Sequence, residues 1–269
     1  MNNKVILLLI DGLCHSAAME AMGYLRALVE AGKAQQYKME CELPSLSRPL
    51  YECILTGVRP VDSGIVDNTT VRLSHHESVF NLASNAKLTT AAAAYHWISE
   101  LYNKAPYDSV RDRFTSSDAL PIQHGCFYNV DSYPDCHLMD DAECIRLRHS
   151  PHFLLIHPMN IDDAGHRYGA ESAQYFNAAR HLDTLLAQKM PTWFEEGYQI
   201  IVTSDHGMGA FNVHGGTRKE EREIPLFVAG SKFSMHADAS PRQLELCGTI
   251  CSLLNIADHG KPECKELLA

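Results

Sequence analysis

Six side chains in this 269-residue sequence have the types and spacing to hold two metal ions: Asp11, Asp162, His166, Asp205, His206 and His214. Asp162 and His166 are four residues apart, so one turn of helix aims both to the same side. Asp205 and His206 are adjacent, following the apolar run Ile200-Ile201-Val202 and preceding Gly207. Asp11-Gly12 repeats that arrangement after the run Val5 to Ile10. Mixed oxygen and imidazole ligands suit Zn²⁺, with Mn²⁺ or Fe²⁺ as alternatives. Close by in the chain, Ser45-Leu46-Ser47-Arg48-Pro49 supplies hydroxyls. Two metals beside a positioned hydroxyl point to phosphoryl or sulfuryl transfer.

Strand ends must deliver these side chains. Apolar, strand-like runs at 5–10, 89–94, 153–157, 199–203 and 225–228 alternate with helical stretches within 17–31, at 49–56, across 171–189 and at 241–254. That alternation predicts an α/β fold, a mostly parallel central sheet with helices on both faces. In such sheets ligands bind beyond the carboxyl ends of the strands. Pro49 in a first turn and Gly57 past a last one mark a short helix with Ser47 near its N-terminus. Free N–H groups and the helix dipole there favour an alkoxide and a bound phosphate. Residues 98–149 break the pattern, being rich in Tyr, Asp, His, Pro and Cys with weak periodicity. They read either as a small inserted cap over the substrate, with His124 and Tyr128 as its test residues, or as an irregular layer away from it.

The length and the 45% apolar content suit one catalytic domain over residues 1–269. A net charge of −10 argues against binding a nucleic-acid polymer through a basic field. The opening apolar run ends in Asp11-Gly12 and lacks a cleavage site, so it reads as a buried strand and not a secretory leader. No uncharged apolar stretch reaches roughly 18 residues, so no membrane partner is expected. Nine cysteines without a CxxC pair suit a reducing compartment, and the cytoplasm is the expected location. Cys126, Cys136, His137 and Cys144 form a weaker candidate for a structural zinc, with spacing that fits no short-knuckle template.

Taken singly, these residues carry little weight. Asp11 or Ser47 alone could cap a helix, and Asn68 alone could be a turn residue in Val66-Asp67-Asn68-Thr69. Their order is what matters. Leu9-Ile10-Asp11-Gly12, Pro44-Ser45-Leu46-Ser47-Arg48-Pro49, Leu55-Thr56-Gly57-Val58-Arg59-Pro60, Ser63-Gly64-Ile65-Val66-Asp67-Asn68, Asp162-x-x-Gly165-His166-x-x-Gly169, Ser204-Asp205-His206-Gly207-Met208 and His214-Gly215 follow one another through the chain. The set resembles the alkaline phosphatase superfamily, most closely its type I phosphodiesterase and nucleotide pyrophosphatase branch.

That resemblance implies an alkaline-phosphatase-like three-layer sandwich and two divalent ions. Asp162, His166 and His214 would hold one ion. Asp11, Asp205 and His206 would hold the other, with Ser47 bridging to it. Ser47 would be the nucleophile, passing through a phosphoseryl intermediate, and Asn68 would donate to a non-bridging phosphate oxygen. The branch usually carries threonine where Ser47 stands, and Ser45 is a rival hydroxyl. Two divalent ions against three carboxylates and one alkoxide leave a nearly neutral shell, which suits a singly charged diester at least as well as a dianionic monoester. Arg48 stands where nucleotide-cleaving relatives often carry an aromatic residue, and is expected to bind a phosphate, a carboxylate or a base face. The implied activity is a phosphodiesterase or nucleotide pyrophosphatase acting on a small phosphate ester or nucleotide. The alternatives are a phosphomonoesterase or phosphonate hydrolase and, from another class, a catalytically silent metal-dependent protein that binds a phosphorylated metabolite. Ser47-Arg48-Pro49-Leu50-Tyr51 lacks the final Arg of the sulfatase signature C/S-x-P-x-R.

Overall fold

The computed structural model describes residues 3–269. Eight strands form a single sheet: β1 (Lys4–Ile10), β2 (Ala34–Glu40), β3 (Thr90–Tyr95), β4 (Phe114–Ser116), β5 (His124–Tyr128), β6 (Phe153–Ile156), β7 (Tyr198–Ser204) and β8 (Glu223–Ala229). Their order across the sheet is β2-β8-β7-β1-β6-β3-β5-β4. The five strands from β7 to β5 are mutually parallel, while β8 runs against both neighbours and β4 runs against β5. The central β1 pairs with β6 through Val5↔Phe153 and with β7 through Ile10↔Ser204. This is the expected mostly parallel α/β sheet.

Period-two alternation builds the two cores. Val5, Leu7 and Leu9 point to one face, and Ile6, Leu8 and Ile10 to the other, all fully buried. The first face packs Leu50, Tyr51 and Ile54 from helix Ser47–Thr56, Val79 and Phe80 from helix Val79–Asn85, and Cys247 and Ile250 from helix Leu246–Leu253. The second packs helices His15–Ala21, Gly23–Glu30, Asp135–His149 and Ala173–Glu195. Each layer thus covers one side, giving a three-layer sandwich.

Several boundaries differ from the sequence expectation. The stretch 17–31 is two helices, broken at Met22 just before Gly23. The long helix runs on to Glu195 through Pro191. The terminal stretch closes with a 3₁₀ turn, Gln243–Glu245, before the helix Leu246–Leu253. Strand β2 was not expected, because its sequence, AQQYKME, buries only Ala34, Tyr37 and Met39, without strict alternation, at a sheet edge.

The 98–149 segment is not simply an insertion. It supplies β4, β5 and the 15-residue helix Asp135–His149, so much of it is sheet and covering layer. The apolar stripe of that helix is interrupted by buried Asp135 and by Arg146, which lies between Glu143 and Glu196. This mixture hid its periodicity. His124 opens β5, at the sheet end opposite the strands' carboxyl termini, and stacks on His149 at 3.6 Å. It takes no part in the site described below.

Candidate active site

Five parallel strands end on one rim, and every sequence-derived ligand lies there or just beyond. Asp11 follows β1, and Asp205-His206 follows β7. Asp162 and His166 sit on helix Asn160–Tyr168, which comes after β6. Ser47 is the first residue of its helix, in the stretch following β2. Among the described residues, two groups bring three potential ligand atoms within 4.8 Å of one another: Asp11 with Asp205 and His206, and Asp162 with His206 and His214. His166 joins the second, its Nε2 lying 3.2 Å from His214 Nε2 and 3.3 Å from Asp162 Oδ2. Cys126, Cys136, His137 and Cys144 belong to neither group, and all nine cysteines are free.

The imidazoles are oriented by one repeated device. His166 Nδ1 lies 2.8 Å from the Asn212 carbonyl, His206 Nδ1 2.8 Å from the Gly207 carbonyl, and His214 Nδ1 2.9 Å from the Ser45 carbonyl. A carbonyl only accepts, so each Nδ1 carries a proton, which leaves each Nε2 the atom that would present a lone pair to a bound cation. The carboxylates follow the same logic. Asp205 Oδ1 accepts from the Gly12 and His206 backbone N–H groups at 3.2 and 2.8 Å. Asp11 Oδ2 accepts from the Tyr51 hydroxyl and faces His157 Nε2 at 3.5 Å. What remains is Asp11 Oδ1, Asp162 Oδ1 and Asp205 Oδ2, all buried and without a hydrogen-bond partner.

Three orphaned carboxylate oxygens facing three imidazole lone pairs fit divalent cations, since buried charge without compensation is expensive. The acid–base balance of the protein alone shows the same frustration. Burial raises Asp205 well above the usual carboxylate range, with the Asp11 charge adding to it, and the same two causes raise Asp162. Asp11, which burial alone would raise, is held at about 2 by His157, His206 and Tyr51. His214 is pushed down to about 4 by burial, and then by His206, while Asp162 lifts His166 to about 9. Like charges sharing a site cannot all ionise together unless something positive sits between them.

Ser47 is 5% exposed, and its Oγ lies 3.0 Å from His206 Nε2. Its rival is committed elsewhere. Ser45 Oγ donates to the Gly216 carbonyl at 2.8 Å and accepts from Gly215 N–H at 3.1 Å, fastening the His214 loop to the serine loop. Asn68 Oδ1 accepts from the Arg48 N–H at 3.0 Å, and Asn68 lines a pocket of about 150 Å³ together with Ser47, Tyr95, Trp97 and Asp131. The turn belongs to Asp67, whose Oδ1 accepts from Thr69 N–H at 2.8 Å. Gly12 is required for packing as well as conformation: its φ is +70°, and a Cβ there would lie 2.7 Å from Asp162 Oδ1.

Arg48 departs from expectation. Its side chain is 1% exposed, pairs with Glu100 at 2.7 Å and lies 4.6 Å from the Trp97 ring centre, so it is not a substrate clamp. Its apolar stem is carried inward by the first helical turn, where buried Glu100 matches its charge. Sequence reasoning also missed Tyr51, His157, Tyr95, Trp97 and Asp131. Tyr51 lies one helical turn after Ser47, and that spacing was its only available signal.

The ordered ligand rim decides the family. Residues 5–221 match the family model of type I phosphodiesterase / nucleotide pyrophosphatase. This chain belongs to that family. It is similar to the human GPI ethanolamine phosphate transferase 2 catalytic subunit, 24% identical over 246 residues, which cover 86% of this chain and 24% of that protein. It is also similar to GPI ethanolamine phosphate transferase 1 of Yarrowia lipolytica, 29% identical over 204 residues covering 70% and 21%. The chain therefore spans about a quarter of the length of these curated relatives. Human ectonucleotide pyrophosphatase/phosphodiesterase 5 shares the fold with a TM-score of 0.77 at 13% identity, covering 99% of this chain and 100% of that one. The C-terminal periplasmic domain of Escherichia coli EptC does so with a TM-score of 0.69 at 13% identity, covering 97% and 84%. Both the fold and the family are those of phosphoester-processing proteins of the alkaline phosphatase superfamily. No helix among the described residues is long and apolar enough to cross a membrane.

Proposed function

We propose that this protein is a two-metal phosphodiesterase that uses Ser47 as its nucleophile and acts on a diester with one small substituent. The observation carrying this reading is Ser47 Oγ at the N-terminus of a buried helix, 3.0 Å from His206 Nε2 and beside the orphaned carboxylates. Bound there, two divalent metals, Zn²⁺ in the first instance, supply Lewis acidity and lower the pKa of the serine hydroxyl. Ser47 Oγ forms a bond to phosphorus as the bond from phosphorus to the departing alcohol breaks. The serine proton balances the departing oxygen. Asp162, His166 and His214 would hold one ion, and Asp11, Asp205 and His206 the other. The Asn68 amide, anchored through Oδ1, offers Nδ2–H to a non-bridging oxygen. Water then forms a bond to phosphorus as the bond to Ser47 Oγ breaks, one water proton returns to Oγ, and the phosphomonoester leaves. The relatives named as ethanolamine phosphate transferases support a second ending, in which an alcohol accepts the group in place of water.

Two features support a small diester. The pocket beside Ser47 holds about 150 Å³, against the roughly 300 Å³ at which drug-sized pockets begin, so a nucleoside is a poor fit. No Lys or Arg lines it, which leaves a dianionic monoester or phosphonate without a protein cation. The nine free cysteines support a reducing compartment for the protein.

Metal-stripped protein refilled with Zn²⁺ or Mn²⁺ is expected to hydrolyse bis-p-nitrophenyl phosphate faster than p-nitrophenyl phosphate. Ser47→Ala should lower that turnover by about 10³-fold or more. Undiminished turnover in Ser47→Ala overturns the nucleophile assignment. No turnover in the refilled parent protein favours the binding-only alternative.

A further inference from the structure

Two loops reach the Ser47 pocket, one carrying Asp131 and the other His214. The first is tied to the helix that carries Asp162: Asn160 Nδ2 donates to the Asp131 and Tyr133 carbonyls at 3.3 and 2.8 Å, and Asp135 N–H donates to Asn160 Oδ1 at 3.0 Å. The second, residues 207–216, bears on the metal ligands directly. Its Asn212 carbonyl orients His166, and His214 is one of its own residues, so the place of both imidazoles depends on where this loop lies. Four of its ten residues are glycine, which makes the backbone easy to deform. Phe211 and Val213 at its tip are exposed, so apolar burial does not hold it there. Polar anchors have to fix it instead.

On one side the anchor is Ser45, through Gly215 and Gly216. On the other it is Glu221, buried on the short helix Lys219–Arg222 that leads into β8. Its Oε2 accepts from the Gly216 N–H at 2.5 Å, and its backbone carbonyl accepts from the Gly207 N–H at 2.8 Å. Both ends of the loop are thus pinned to one residue. The carboxylate also fills the space beneath the loop, since a Cβ on Gly209 would lie 3.1 Å from Oε1 and one on Gly216 would lie 2.7 Å from Oε2. Glu221 has no ion-pair partner among the described residues. A buried charge of this kind is compensated through the N–H group it receives, and charge-assisted bonds are the stronger ones.

Resting on the reading of the rim as a two-metal centre, we infer that Glu221 is a positioning residue for one ion only, the one assigned to Asp162, His166 and His214. Its carboxylate sets the loop so that the Nε2 atoms of His166 and His214 converge on that ion. The other ion does not depend on this side chain. Asp11 and Asp205 are held by Tyr51 and by the Gly12 and His206 N–H groups, and His206 precedes the loop. The Gly207 bond uses the main chain of Glu221 and survives a substitution there.

The test reads metal affinity, so it does not depend on turnover. Zn²⁺ binding is measured by chelator competition in two backgrounds, Asp205→Asn, which keeps the Asp162 ion, and Asp162→Asn, which keeps the other. Adding Glu221→Ala is expected to weaken the first by about 10- to 100-fold and to leave the second within about twofold. Glu221→Gln keeps an acceptor for the Gly216 N–H and should recover most of the loss. Thermal unfolding of each variant checks that it is folded. Equal weakening in both backgrounds makes Glu221 a general support of the fold and overturns the positioning role, as does no weakening in either. A Gln variant as weak as the Ala variant overturns it too, because the hydrogen bond is then not the means. Turnover of bis-p-nitrophenyl phosphate by the refilled parent protein without this split in affinity leaves the Ser47 chemistry standing and removes only the role of Glu221. The split in a protein without turnover supports Glu221 and overturns the catalytic reading instead.

Discussion

The two walls of the Ser47 pocket are built on opposite principles. On the side of β1 and β7, Asp11, Asp205 and His206 are all fully buried; Asp11 and Asp205 each have one oxygen fixed by tyrosine or backbone while the other is left bare, and His206 turns its Nε2 to Ser47. On the side of β3 and β5, Asp131 lies on an exposed loop and is held through its backbone. The first wall gives up stability to keep charge unpaired, as sites for metal chemistry do. The second leaves its charge in reach of water, where changing a residue costs the fold little.

The sharpest way to break the first wall is Asp205→Asn, which keeps shape and removes charge. Turnover should fall by about 10³-fold. One of the two ligand groups loses an oxygen ligand, so bound metal should fall from two ions per chain to one, as read by elemental analysis. Retention of both ions would show that Asp205 is structural.

This wall was also the part legible in the sequence. Asp11 and Asp205 each end a run of apolar residues that can only be a buried strand, and a charge at such a point has few reasons to be there. Tyr51 and His157 were not legible, because a buried tyrosine on an apolar helix face and a histidine at a strand end look like core. The second wall was hidden for another reason. Strand β5, HGCFY, is short and contains glycine, and the helix after it mixes buried acid and arginine into its apolar face, so nothing announced that Asp131 stands at a strand end. The misjudged Arg48 follows from the same limit, since sequence shows the cation and not Glu100, which neutralises it.

A smaller effect probes what fixes the second wall. Burial pushes Asp135 up to about 7 from 3.8. The folded protein therefore keeps a proton there that the unfolded chain releases near 3.8, and stability falls as pH rises from about 4 to 7, then levels off. At no more than about 1.4 kcal/mol per unit, easing as pH nears 7, roughly 2 kcal/mol is lost between pH 5 and pH 7. Asp135→Asn has no such proton to lose. Its stability relative to the parent, from denaturant unfolding, should be markedly higher at pH 8 than at pH 5, and a constant difference would show that Asp135 is ionised throughout.

Tyr51→Phe tests the first wall more gently. It removes the hydroxyl that holds Asp11 Oδ2 and leaves Asp11 itself in place. Outer-shell partners of this kind are worth about 10- to 100-fold in metal affinity. Competition with a chelator should show that loss while the far-ultraviolet circular dichroism stays unchanged, and unaltered affinity would assign the orientation of Asp11 to His157 alone.

The smallest effects separate the two ends of one strand. His124 and Tyr128 begin and end β5, about 13 Å apart along it. His124 stacks on His149 beside a cavity of about 230 Å³ that includes neither Ser47 nor any of its metal-ligand neighbours. Tyr128 donates to the His157 carbonyl at 2.7 Å, and His157 lies against Asp11. His124→Ala should therefore leave KM and metal affinity within about twofold, as surface changes away from a site do. Tyr128→Phe should weaken metal binding by a few-fold, less than Tyr51→Phe, because it acts on Asp11 through one more residue. If His124→Ala raised KM while Tyr128→Phe did nothing, the 98–149 segment would reach the substrate from its other end, and the contrast between a buried wall and an exposed one would have to be redrawn.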